Sequence, residues 1–446
     1  MTKNVYETYS DNRLIFLFAI PSIISLFLES LTSIIDTAFA GHIPFVSTES
    51  LTAIGLLSPV VSILIAAQLL FGVSTGIFIS RYLGKNDKEK VNNTFMVGFY
   101  INLLFALSIS LLLFIFMNPL LHVLGAEGET YILAKEYFSI ALISNVFSSV
   151  GYNLVNILRA FGYPKLEVTI ASFSTILNII FNFIFTFKMN MGLMGIALGT
   201  LLSEVFYTLA GAYFLYKHRL WFSHKKLSKD FVFNIIKKMT KVGFVQFGVQ
   251  CLTSLSGLII NNRLLYFGGA LSVSAWAIAQ KIHSAALMPI IGITQGLMSI
   301  LSYFKGNKNK KRAYSVTKKS IIYSLAYGVS ITILIFLFGD YATKIFSDSI
   351  DIITASSMVL KISFSLFFML GIVYTLISLF QVTDKEKYAM ALGVVRQLIA
   401  LVPLAIILPM IFRKDPVNAI FLSLPLSDFL TLILGIYLYK SIKAIV

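Results

Sequence analysis

The chain has 446 residues, 57% of them hydrophobic and 13% charged, with a formal net charge of +16. So small a charged fraction, about half that of an average soluble domain, excludes a soluble globular or disordered protein, and the single cysteine, Cys251, excludes an intrachain disulfide. The basic excess alone would suit nucleic acid, but its distribution argues for a membrane.

Apolar stretches near the ~20 residues needed to cross a bilayer predict twelve spans, over 14–40, 50–80, 93–118, 131–158, 164–187, 191–216, 242–266, 270–303, 319–339, 352–381, 388–411 and 416–439. The second, eighth and tenth are long enough to tilt or protrude. The polar start leads directly into the first span, so no cleavable signal peptide is expected. Of the 36 Lys and Arg, counting those at span edges with the adjoining loop, 27 belong to the two ends and the even-numbered loops, five to the odd-numbered loops and four to span interiors. This positive-inside asymmetry puts both termini in the cytoplasm and explains the basic excess without a nucleic-acid partner. The expectation is a multi-pass protein of the plasma membrane.

The first span carries the chain's sharpest signal. LFLESLTSIIDTAFAGH (26–42) places Glu29 and Asp36 in an otherwise uncharged run, where each carboxylate costs roughly 2.5–3.5 kcal/mol at the bilayer centre. Seven residues at ~100° each nearly complete two turns, so the two acids share a face, about 10.5 Å apart, with Thr32 and Ser33 between them. Pro21 removes a backbone hydrogen bond from the same span and is a candidate hinge. In the fifth span Asn178 and Asn182, four apart, also share a face. The 218–240 stretch is read as a basic cytoplasmic connector between a six-span lobe, 1–217, and a second, 241–446. The run 305–319 is read as a solvated loop.

The halves echo each other. ESLTAIGLLSP (49–59) aligns with LSVSAWAIAQK (271–281), and LRAFGYPK (158–165) with FQVTDKEK (380–387), both 222 positions apart; Gly84 and Gly306 share that offset, and SEVFYTLAG (203–211) matches SDFLTLILG (427–435) at 224. An even number of spans per repeat makes the repeats parallel about an axis along the membrane normal, an architecture of secondary transporters that bind near the midplane. Glu204 and Asp428 are equivalent in the repeats and are read as structural partners of bases such as Lys281 and Arg396. No phosphate-binding loop and no HExxH or GxSxG motif is present, so the chain reads as a transporter driven by an ion gradient, not an enzyme.

IPSIISLFLESLTSIIDTAFAGH, GVSTGIFISRYLGKND, LRAFGYPKLEVTIASFSTILNIIFNF and GIALGTLLSE, followed by SLSGLIINNRLLYFGG, MPIIGITQGLMSILSYFKGN and VVRQLIALVPLAIILP, resemble the multidrug and toxic compound extrusion (MATE) transporters in order and over nearly the whole chain. The resemblance implies an all-α fold, twelve transmembrane helices in two six-helix lobes forming a V, and a monomer that exports amphipathic, usually cationic small molecules in exchange for H+ or Na+. It also implies a first-lobe pocket containing Pro21, Glu29, Asp36, Asn156, Asn178, Asn182 and Thr200. Thr32, Ser33, Gln250, Trp276, Gln280 and Met288 are added as candidate cleft residues. Partners are then the small-molecule substrate and membrane lipid, with no cofactor beyond the coupling ion. The family pattern on helix 5, N-x-x-x-D, is N-x-x-x-N here, and its usual glutamine is Glu29. A compensating swap follows as the expectation: Glu29 and Asp36 together form the coupling site, for H+ or for Na+. The alternative is a flippase of lipid-linked saccharides on the same architecture, which would need a basic cleft.

Overall fold

The computed structural model describes residues 5–224, 227–346 and 349–442, and every regular element among them is helical. In chain order the elements are α1 (Val5–Thr8), α2 (Asp11–Ala40), α3 (Ser47–Gly84), α4 (Lys88–Ile115), α5 (Met117–Val123), α6 (Gly128–Ala160), α7 (Pro164–Phe183), α8 (Gly192–Lys217), α9 (Lys229–Gly306), α10 (Lys310–Lys344), α11 (Ile350–Phe364), α12 (Phe368–Val382), α13 (Glu386–Val394), α14 (Leu401–Ile411) and α15 (Pro416–Ile442). Two π-helical segments, Ile184–Lys188 and Val395–Ala400, continue α7 and α13.

Ten helical segments among the described residues are long and apolar enough to cross a membrane. One of them, α9, holds two predicted spans, because its backbone leaves the helical region at Gly269 (φ 62°, ψ −161°). The tenth predicted span is α11 and α12, joined at a 52° bend. Dividing α9 and counting the bent pair recovers the twelve spans of the sequence. No Pro or Gly marks that bend. Hydroxyls meet backbone carbonyls there instead: Ser365 Oγ donates to the Ile362 carbonyl at 2.8 Å and Thr332 Oγ1 to the Phe364 carbonyl at 3.2 Å, which suits a span that must satisfy its own backbone. Side chains such as Leu334, Leu337 and Tyr341 of α10 are exposed, as expected of a surface whose solvent is lipid.

Contacts divide the chain into two units. The first holds the residues through Tyr9 and Ile20–Phe247; the second holds Ser10–Ala19 and everything from Gly248. The opening turns of α2 are therefore built into the second unit. Leu14 and Phe18 are fully buried, and a Cβ on Gly296 of α9 would lie 3.0 Å from Phe18. Asp11 accepts from Arg312 Nε at 2.9 Å and from Ser315 Oγ at 2.6 Å.

The connector and the stretch read as a solvated loop are both partly helical. The 218–240 stretch becomes helix from Lys229, and in the first unit Gly243 of that helix packs so tightly on the Leu70 carbonyl that no side chain fits. The 305–319 run is interrupted only between Gly306 and Lys310, where Asn309 caps α10 by accepting from the Arg312 N–H at 3.0 Å. Helix here is the continuation of spans beyond their apolar length, which a hydropathy window truncates.

The internal repeat is visible in local structure. α3 and α9 end at Gly84 and Gly306, and α4 and α10 begin at Lys88 and Lys310. Asp87 and Asn309 cap them in the same way. Left-handed backbone recurs at Asn86 (φ 56°) and Lys308 (φ 60°), and again at Gly162 (φ 91°) and Asp384 (φ 61°). All of these pairs share the offset of 222.

The first unit is also closed by a buried ion pair between α6 and α7. Arg159 Nε reaches Glu167 Oε2 at 2.7 Å, Nη2 meets Oε1, and Nη1 donates to Asn156 Oδ1 at 3.1 Å. Removing one partner of such a pair costs roughly 3–5 kcal/mol, since the other charge stays buried. Glu167→Gln should therefore lower the melting temperature of the detergent-purified protein far more than the double change Arg159→Leu/Glu167→Leu. Equal losses would show that the unpaired charge is not what matters.

Candidate cation and substrate site

Asp36 lies in the last two turns of α2, and its carboxylate is met by α7 and α8 of the first unit. Asn182 Nδ2 donates to Asp36 Oδ1 at 2.6 Å and to Asn178 Oδ1 at 3.1 Å. Asn178 Nδ2 donates to Thr200 Oγ1 at 3.1 Å, and that hydroxyl donates on to Asp36 Oδ2 at 3.4 Å. Ser203 Oγ lies 3.5 Å from Asn178 Nδ2. Of the five residues expected at the coupling site, Asp36, Asn178, Asn182 and Thr200 thus form one hydrogen-bonded network, and Glu29 is not part of it. Spacing explains it: Asn178 and Asn182 are one turn apart on α7, and Thr200 and Ser203 nearly one turn apart on α8.

Close helix approach makes the network possible. A Cβ on Gly199 of α8 would collide with Asn182, and one on Gly195 would lie 2.7 Å from the backbone of Phe185 and Thr186. The π-helical segment that follows Asn182 faces this contact; such segments recur at functional sites. Asn182 is fully buried, and its Oδ1 has no hydrogen-bond partner. The network therefore presents a carboxylate and an amide oxygen, both hard oxygen donors, inside a membrane span.

Every donor to Asp36 is neutral. No Lys or Arg among the described residues pairs with Asp36, Glu29 or Glu204, whereas the other acids buried in spans do have bases: Glu167 has Arg159 and Asp428 has Arg396, with Nε to Oδ1 at 2.7 Å. Arg396 thus sits on a buried acid, as the sequence reading expects. Glu204 departs from its reading. It finds no base among the described residues; its electrostatic neighbours are Ser148 and Glu29. Its position, one turn beyond Thr200 on α8, is the signal that could have placed it here.

The remaining candidates are spread out. Glu29 is exposed and shares no hydrogen bond with the Asp36 network. Thr32 Oγ1 bonds the Leu28 carbonyl and sits 3.4 Å from Thr175 Oγ1, Ser33 is exposed, and Pro21 is buried one residue past the Ala19/Ile20 unit boundary. Asn156 is committed to the Arg159–Glu167 pair rather than to Asp36. In the second unit Gln280 is exposed and Gln250 and Met288 are half-buried. Trp276 lies in the hydrophobic core against Phe421, its ring centroid 5.9 Å away; an aromatic at helical spacing satisfied packing first.

The MatE family model matches residues 21–184 and 247–407, which contain Asp36, both asparagines and nearly all the repeat. The chain belongs to the MATE family. Two relatives are multidrug export proteins named MepA, from Staphylococcus aureus (27% identical, over 91% of this chain and 86% of that one) and Staphylococcus haemolyticus (24%, over 96% and 92%). Among solved structures, a MATE protein in complex with MaD3S superposes with a TM-score of 0.92 at 22% identity, covering 100% of this chain and 99% of the other. An outward-facing multidrug resistance MATE transporter does so at 0.92 and 23%, with the same coverage. At such identities the likeness shows the all-α MATE fold. The protein is a multi-pass membrane protein of a transporter family, not an enzyme.

Gly199→Val should break the α7–α8 contact and abolish transport while membrane insertion persists. Asn182→Leu should do so without a steric clash, by stripping Asp36 of its closest donor. Transport rates of both variants in proteoliposomes, normalised to inserted protein, check this. Full activity of Asn182→Leu would remove the network from the mechanism.

Proposed function

We propose that this MATE-family protein is a secondary antiporter that exports amphipathic, cationic small molecules in exchange for a cation, with Asp36 as the coupling site. The carrying observation is the Asp36 carboxylate held in a span by neutral donors alone. A carboxylate already paired with a guanidinium has no charge to exchange. One stabilised by an amide and a hydroxyl keeps its negative charge and can take a proton, Na+ or a cationic substrate in turn.

The role of the MepA relatives as multidrug export proteins supports the same reading. So does the pairing of the buried arginines: with Arg159 on Glu167 and Arg396 on Asp428, neither offers net positive charge to a pyrophosphate, which disfavours the flippase alternative. Alternating access requires the Asp36 site to respond to a change elsewhere. α2 is one helix whose first turns belong to the second unit and whose acidic turns belong to the first. Pro21, just beyond the boundary, is the weak point at which it would bend. The protein operates as a monomer in the plasma membrane with cytoplasmic termini, in accord with its charge asymmetry.

In proteoliposomes, an imposed pH or Na+ gradient should drive movement of a fluorescent lipophilic cation by wild type, and Asp36→Asn should abolish it. The gradient that works names the ion. Glu29→Gln should lower the rate less than Asp36→Asn does, since Glu29 stands outside the hydrogen-bonded network. Gradient-driven transport by Asp36→Asn at the wild-type rate would overturn the assignment.

A further inference from the structure

We propose that Lys281 is the contact for a carboxylate on the transported molecule, so that a zwitterionic amphiphile, carrying an acid as well as an amine, is taken in preference to the matching cation. The proposal deepens the export reading and rests on it for transport, though not for binding. Between positions 272 and 306 of α9 the exposed residues are Ser274, Ala277, Gln280, Lys281, Ser284 and Ala285. At ~100° per residue they fall within an arc of about 140° on one side of the helix. Not one of them is a large apolar residue. The lipid-facing surfaces of this protein differ: the earlier part of the same helix exposes Leu255, Leu258 and Leu265, and α10 exposes Leu334 and Leu337. A stripe of hydroxyls, an amide, an ammonium and small side chains within a span is a surface for water.

Lys281 stands in that stripe without a counter-ion. It lies twelve residues past Gly269, where the backbone leaves the helical region, hence roughly 18 Å along the axis and near the middle of a ~30 Å hydrocarbon core. The sequence reading expects it to neutralise a buried acid. Instead Lys361 pairs with Asp340 at 3.2 Å and Arg396 with Asp428 at 2.7 Å, and no acid among the described residues pairs with Lys281. A charge at such depth is costly, and it is stabilised by water or by an anion brought to it. Ser284, three residues on, presents a hydroxyl to the same face.

The internal repeat separates the stripe from the charge. At the offset of 222, Thr52, Gly55 and Ser58 of α3 are exposed in the same order, and Pro59, also exposed, stands at the place of Lys281. The fold therefore supplies the wet face in both units but the cation in one. The first unit carries the uncancelled Asp36 carboxylate and the second carries this ammonium, so a molecule bearing both signs finds a counterpart for each. One compact ammonium, with no second base on its stripe, matches a single carboxylate and not the higher charge of a pyrophosphate.

Equilibrium binding to the full-length protein in neutral detergent, read by fluorescence anisotropy, tests this without a gradient. The probes are tetramethylrhodamine free acid and its methyl ester, which share one cationic ring system and differ by one carboxylate. Wild type should bind the acid more tightly than the ester. Lys281→Met should raise the Kd of the acid at least ~10-fold and leave that of the ester unchanged. Lys281→Arg should keep the preference for the acid, and Lys281→Glu should reverse it. Lys387→Met, exposed at the start of α13, should change neither affinity. If Lys281→Met misfolds, the two charged variants decide by the sign of the preference alone. Equal affinity of wild type for the two dyes overturns the proposal. So does an equal loss for both dyes in Lys281→Met, since the lysine would then support the helix and not the carboxylate. Because no gradient enters, a failure of the antiport reading shows in proteoliposomes and not in these affinities.

Discussion

A bilayer interior offers a charged side chain no water, so each ionisable group inside it must bring its own solvation or lie where a cation can supply it. The chain meets this condition in two ways. Arg159 with Glu167, and Arg396 with Asp428, are closed pairs that cancel internally and knit α6 to α7 and the π-helical end of α13 to α15. Asp36 is solvated by an amide and a hydroxyl, leaving its charge uncancelled. That difference separates acids that hold the fold from one that can do work. It also sets the local geometry, because an amide can reach Asp36 only where α7 and α8 touch at Gly199 and Gly195.

The two halves show how one backbone plan accommodates different chemistry. Helix ends, caps and left-handed residues recur at a fixed offset, because those features satisfy backbone groups at helix termini and admit few solutions. Side chains within the frame are free to diverge. At the offset of α7 and α13, Asn178 corresponds to Ala400, so the polar network belongs to the first unit alone. Glu204 and Asp428 are equivalent acids with opposite fates, one beside Ser148 and Glu29 and the other under a guanidinium.

Much of the site was legible because charge in a membrane span is costly and therefore conspicuous. Asp36 could be read from its surroundings, and the asparagines from their spacing together with the family pattern they resemble. Asn156 illustrates what spacing leaves open, since a buried amide on a pocket-forming helix can also cap a guanidinium, as it does with Arg159. Trp276 was drawn into a hydrophobic core by its own area. Glu204 was read through its repeat partner, which assumes that equivalent positions have equivalent neighbours; Ser174 stands at the first-unit place of Arg396, so no base was there to meet it.

Composition, hydropathy and charge asymmetry by themselves determined an all-helical membrane protein of twelve spans in two repeats, with an acid-bearing first span. These are properties of transfer into lipid, summed along ~20 residues at a time, and they need no knowledge of neighbours. The tertiary structure alone decided which acids are neutralised, where the tenth span bends without proline or glycine, how far α9 and α10 extend past the apolar stretches, and that the opening turns of α2 pack with the second unit. Each of these depends on which side chain from a distant segment arrives within a few ångströms, and hydrogen bonds and packing act only at that range.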